Sequence, residues 1–152
     1  LVKKTPVSRH SALYHFTSTD STRGTPYTRG RGRTIWHKTW HTTLRIQAGR
    51  NHRVQQDYTP ISTWRAWESG ECDILVNVQP SDAAATCLHQ QPIGSDVWLS
   101  KPKKALSVPS LVPESQIMKT RDPEFLEHKG VLLVLEGTGG IAVAAQVLQH
   151  TD

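Results

Sequence analysis

Two stretches of this chain alternate apolar and polar residues with a period of two, and no other feature constrains its fold as tightly. In residues 72–79, Cys72, Ile74, Val76 and Val78 fall on one side and Asp73, Leu75, Asn77 and Gln79 on the other. In residues 34–47, Trp36, Trp40, Leu44 and Ile46 take even positions, interrupted by Lys38 and Thr42. The odd positions there are polar: His37, Thr39, His41, Thr43, Arg45 and Gln47. Successive side chains of a strand point to opposite faces, so this pattern covers one face of a sheet and wets the other. A helix would scatter the same residues around its axis.

The punctuation between these runs fits short strands. Ala48, Gly49, Arg50 and Asn51 read as a turn leading to a return strand over 52–58, and Pro80, Ser81 and Asp82 close the strand at 72–79. A further short strand is expected around Trp98 within 96–100, and the proline- and lysine-rich residues 101–113 read as an extended connector. One helix is signalled, with Asp122 as cap, Pro123 in the first position, Glu124 near the positive end and His128 and Lys129 near the negative end before Gly130. The expected fold is mainly β: a single antiparallel sandwich, jelly roll or barrel with one short helix and a flexible basic N-terminal region.

At 152 residues the chain has the size of one domain, and 36% apolar residues against roughly 45–50% in typical domains give it a lean core. Five tryptophans then carry much of the buried area. The alternation assigns Trp36, Trp40 and Trp98 to the core, whereas Trp64 and Trp67, which flank Arg65, suit either a core or the stacking of bases. The longest apolar run, residues 131–135, is far below the roughly 20 residues of a membrane span, so no membrane partner is expected. No apolar region follows Lys3 and Lys4, and no signal peptide is visible. The chain opens on Leu1, which reads as a fragment or a processed product, and its expected location is intracellular or within a nucleoprotein particle. Cys72 and Cys87 are expected as reduced, partly buried thiols, with no metal site on them.

Charge divides the chain. Residues 1–56 hold eleven Lys or Arg and one acid, Asp20, while residues 57–152 hold seven basic and twelve acidic residues. That asymmetry points to a polyanion partner. Residues 17–34 contain eight Ser or Thr, four Arg and three Gly and no aliphatic side chain, so nothing there offsets the entropy of ordering. The division expected is a flexible arm over 1–33 and a β-rich domain over 34–152. The run Arg29, Gly30, Arg31, Gly32, Arg33 resembles the RGG-type segments that follow nucleic-acid backbones. Arg23, Arg29, Arg31, Arg33, Lys38 and Arg45 are the expected contacts to RNA or DNA phosphates.

Near the C-terminus, Gly137, Gly139 and Ala142 fit G-x-G-x-x-G/A behind the apolar run at 131–135. The segment resembles the nucleotide-binding turn of medium-chain dehydrogenases, which implies a pyrophosphate held by backbone N–H groups at a helix N-terminus. Gly137, Gly139 and Gly140 are the cofactor-binding candidates on that reading. Only ten residues follow Ala142, too few for the second strand and the acid that hold the ribose, and a hairpin with a glycine turn is the competing reading. Leu13, Tyr14, His15, Phe16 and Thr17 resemble the opening strand of some ADP-ribosyltransferases, which implies a ribose contact for His15; the structural reading is a short anchor strand. His37 and His41 share a strand face about 13 Å apart, too far for one metal ion.

No Ser/His/Asp order and no Cys/His pair is visible, so no catalytic residue and no cofactor is assigned. The leading expectation is a structural nucleic-acid-binding subunit, coat- or nucleoprotein-like, rather than an enzyme, with homo-oligomers among its partners. The alternatives are a nucleotide-binding oxidoreductase-like enzyme or fragment using the glycine turn, and a self-associating β-domain without nucleic acid.

Overall fold

The computed structural model describes residues 1–18, 38–49, 52–107, 134 and 136–149. Within them seven strands form two antiparallel sheets. The first has the order β1–β2–β5, built from β1 (Lys3–Pro6), β2 (Ser11–Thr17) and β5 (Glu71–Asn77). The second is centred on β3 (Lys38–Gln47), with β4 (Arg53–Tyr58) on one side and β6 (Trp98–Leu99) and β7 (Lys103–Ser107) on the other. Three helices accompany them: α1 (Trp64–Ser69), α2 (Ala83–Gln90) and α3 (Gly137–Leu148). The mainly β, antiparallel expectation holds, in a sandwich-like form and not as a closed barrel.

The alternation does the sorting. Ala12, Tyr14 and Phe16 of β2 and Cys72, Ile74 and Val76 of β5 meet Leu44 and Ile46 of β3 and Ala85 and Leu88 of α2 in one core. In register, Tyr14 stands opposite Ile74 and both are fully buried. Burying side chains of this size contributes about 1.5–3 kcal/mol each, before the entropy of ordering them. Residues 1–17 thus hold two strands of the first sheet, and residues 19–33 lie outside the described residues. Two bonds tie this end of the chain to α2: the Tyr14 hydroxyl and His89 Nδ1 are 2.8 Å apart, and Lys4 Nζ donates to the His89 carbonyl at 2.7 Å.

Local signals explain the first two helices. The Thr63 side chain caps α1 by accepting from the Ala66 N–H at 3.1 Å, and Gly70, with φ +86°, ends it in the left-handed conformation. Asp82 caps α2 by accepting from the Ala85 N–H at 2.9 Å. The strand expected over 72–79 ends at Asn77, and Pro80, Ser81 and Asp82 lead into α2. On α1, Trp64 and Trp67 pack edge-on against Trp40, with ring centroids 5.5 and 5.2 Å away.

Three expectations change. Trp98 is half exposed, because β6 is two residues long at the margin of its sheet. The connector expected over 101–113 contains β7, a charged edge strand whose lysines resist further pairing. The glycine segment opens a helix and is not a hairpin turn. Ala142 and Gln146 lie on the buried side of α3, and the Gln146 side chain docks it. The helix expected at 122–129 lies outside the described residues, as does nearly all of the apolar run at 131–135.

Candidate functional site

Three places in the fold concentrate chemistry. The first is the start of α3. Gly137 takes φ +66°, a conformation open to glycine at little cost, and a side chain built on Gly137 or Gly139 meets nothing within 4 Å. The Gly140 N–H bonds the Glu136 carbonyl at 3.3 Å, so the N–H groups of Gly137, Thr138 and Gly139 have no acceptor within the helix. The Glu136 side chain makes no capping bond. Twelve aligned peptide units add a partial positive charge at this end.

The position of α3 is fixed from within. Gln146 is 1% exposed, and its amide accepts from the Trp40 N–H at 2.8 Å while donating to the Trp40 carbonyl at 3.1 Å and the Pro60 carbonyl at 2.9 Å. One side chain thereby pins α3 to β3 and to the loop after β4. Gln149 adds a bond to the Ile61 carbonyl at 2.8 Å. Nothing in the local sequence signals this role, since a glutamine in an apolar helix face carries no partner's address.

The second place is a recess of about 470 Å³ between β4 and the N-terminus of α2, lined by Val54, Gln55, Gln56, Ser81, Asp82 and the first two alanines of α2. Gln56 Nε2 donates to Asp82 Oδ2 at 3.2 Å, so both carboxylate oxygens of Asp82 are engaged. Tyr58 follows Gln56 on the same face of β4, and burial together with the Asp82 charge pushes its phenol up. Its hydroxyl is buried without a partner among the described residues.

The third is the outer face of the second sheet. Register places Gln47 opposite Arg53, Arg45 opposite Gln55 and Trp98, Thr43 opposite Asp57, and His41 opposite Lys103. The Arg45 guanidinium lies 4.4 Å from the centre of the Trp98 ring. Asp57 accepts from the Thr43 hydroxyl and sits 3.6 Å from His41 Nε2 and 3.8 Å from Lys103 Nζ. These contacts, the Thr43 bond foremost, hold its carboxyl below the usual carboxylate range.

Of the expected nucleic-acid contacts, Arg23, Arg29, Arg31 and Arg33 lie outside the described residues, Lys38 opens β3, and Arg45 lies mid-strand. Gly137, Gly139 and Gly140 fall together in the first turn of α3. His15 lies on β2 paired with Asp73 across to β5, in the anchor-strand position. Among the described residues no three His, Cys, Asp or Glu gather as a metal site. No described helix is long and apolar enough to cross a membrane.

Neither a family model nor a curated protein matches this chain. Among solved structures, the cytochrome b5 reductase domain of Ulva prolifera nitrate reductase aligns with a TM-score of 0.48 at 18% identity, over 68% of this chain and 38% of that one.

Proposed function

We propose that the chain is a nucleotide-binding domain of the kind oxidoreductases carry, holding the phosphates of a nucleotide cofactor at Gly137, Thr138 and Gly139. One observation carries the reading: the glycine turn is the first turn of a twelve-residue helix whose opening lacks a side-chain cap. A hairpin in its place would have aimed no row of N–H groups at one point. Here the N–H groups of Gly137, Thr138 and Gly139 converge with the helix dipole, which is the arrangement that favours a phosphate. The resemblance of this turn to that of medium-chain dehydrogenases supports a diphosphate-bearing cofactor as the ligand class. The recess beside α2 lies within the roughly 300–1,000 Å³ range of small-ligand sites.

Thermal unfolding with ADP, NADH, NADPH and FAD tests this reading, with adenosine as the ligand that lacks phosphate. A diphosphate nucleotide at 100 times its Kd stabilises the folded chain by about 2.7 kcal/mol and raises the melting temperature accordingly. Gly139→Asp places a carboxylate where the phosphate sits and suits a helix N-terminus, so the variant folds and loses the shift. No stabilisation by any of these nucleotides at millimolar concentration overturns the assignment.

A further inference from the structure

We infer that the outer face of the sheet formed by β3, β4, β6 and β7 binds single-stranded nucleic acid, with Trp98 and Arg45 as a stacking platform and Arg53 and Lys103 on the phosphates. The surface is separate from the glycine turn and independent of the function proposed for it.

The face brings together features that the sequence scatters over residues 45–103. Arg53, Arg45, Trp98 and Lys103 come from four different strands, and antiparallel register puts them on one side. Asp57 is the acid on this face among the described residues, and Lys103 and His41 already surround it. Among the described residues, half-buried Arg45 and exposed Arg53 are hydrogen-bonded only to the neutral amides of Gln55 and Gln47.

Trp98 decides what kind of polyanion fits. It is 50% exposed with a guanidinium over its ring, an arrangement that leaves a large aromatic surface in water. An acidic peptide would use the cations and leave the indole wet. A nucleic acid strand uses both, its phosphates on the arginines and a base continuing the stack of indole and guanidinium. Duplex bases are already stacked, so the strand must be single, and the contact discriminates little between sequences because every base has a π-face.

The test is fluorescence anisotropy of a labelled 12-nucleotide oligouridine with the full chain at 25, 75 and 150 mM salt. The expected result is binding that weakens steeply with salt, about 5- to 150-fold loss on Trp98→Ala from one lost stack, and a shallower salt slope on Arg53→Ala. Both positions are exposed, and circular dichroism confirms that each variant stays folded. An Arg29→Ala, Arg31→Ala, Arg33→Ala triple variant is the control for the basic run at 29–33. Three results overturn the inference: no binding at 25 mM salt, binding abolished by the triple variant yet untouched by Trp98→Ala, or polyglutamate binding as tightly as the oligonucleotide.

Discussion

Replacing Gln146 with alanine tests how the fold positions its glycine turn. The side chain is buried and makes three hydrogen bonds, at 2.8, 3.1 and 2.9 Å, all to backbone atoms of Trp40 and Pro60. Truncation leaves one N–H and two carbonyls buried without those partners. An orphaned buried group costs about 1–3 kcal/mol, and partial relaxation of three neighbouring groups gives a loss of roughly 3–4 kcal/mol in total. For a chain of this length that is a fall in melting temperature of roughly 6–16 °C. Urea unfolding followed by tryptophan fluorescence reads it directly, because Trp40 lies beside the lost bonds. Gln146→Met separates packing from hydrogen bonding: it keeps the volume, loses the bonds, and should remain well below the parent. A loss under about 1 kcal/mol for the alanine variant would refute the docking of α3 through this side chain, since even one orphaned group costs that much. The same variant should weaken stabilisation by nucleotides, because α3 carries the turn.

Two further outcomes follow from the charges. Burial pushes the Tyr14 phenol and the Cys72 thiol each up to about 12, from ordinary values of 10.0 and 9.0, and raises Tyr58 too. The folded chain keeps protons that the unfolded chain gives up, so stability is intact below about pH 9 and falls as pH rises toward 12, by up to about 1.4 kcal/mol per pH unit for each group. Urea midpoints at pH 8, 9.5 and 10.5 measure the slope; Tyr14→Phe should flatten it, and a midpoint unchanged across the range contradicts the burial. At the helix opening, Glu136→Gln removes a carboxylate beside the incoming phosphate and should tighten nucleotide binding severalfold, seen as a larger thermal shift with ADP; unchanged or weaker binding argues that the phosphate lies elsewhere.

The candidate sites were legible to unequal degrees. The glycine turn stands out in the sequence because its signature is local: three glycines within four residues behind an apolar run. The sheet face was only half visible. Arg45 is read from charge, but the alternation assigns Trp98 to the core because it marks two faces without saying which one is covered. Arg53 and Lys103 join the face through register, which links residues 8 and 62 positions from Arg45 and His41. Gln146 gave no signal at all, since its partners are backbone atoms more than eighty residues away.

What the sequence determined by itself is the set of strands whose pattern is local. The alternation over 72–79 and 34–47 marks strands, found as β5 (Glu71–Asn77) and β3 (Lys38–Gln47), because only period two puts Ile74 and Val76, or Leu44 and Ile46, on one side. The turn at Gly49 and the return strand followed from the residues between them. What the tertiary structure decided is everything that depends on who covers whom. Tyr14 became core because β5 and β3 close over it, and Trp98 stayed wet because β6 ends after two residues at a margin. The glycine segment became a helix end and not a hairpin, a choice its own residues leave open, and docking of Gln146 against β3 and the Pro60 loop stabilises the helix. Local patterns settle how the chain alternates, and long-range burial settles which side meets water.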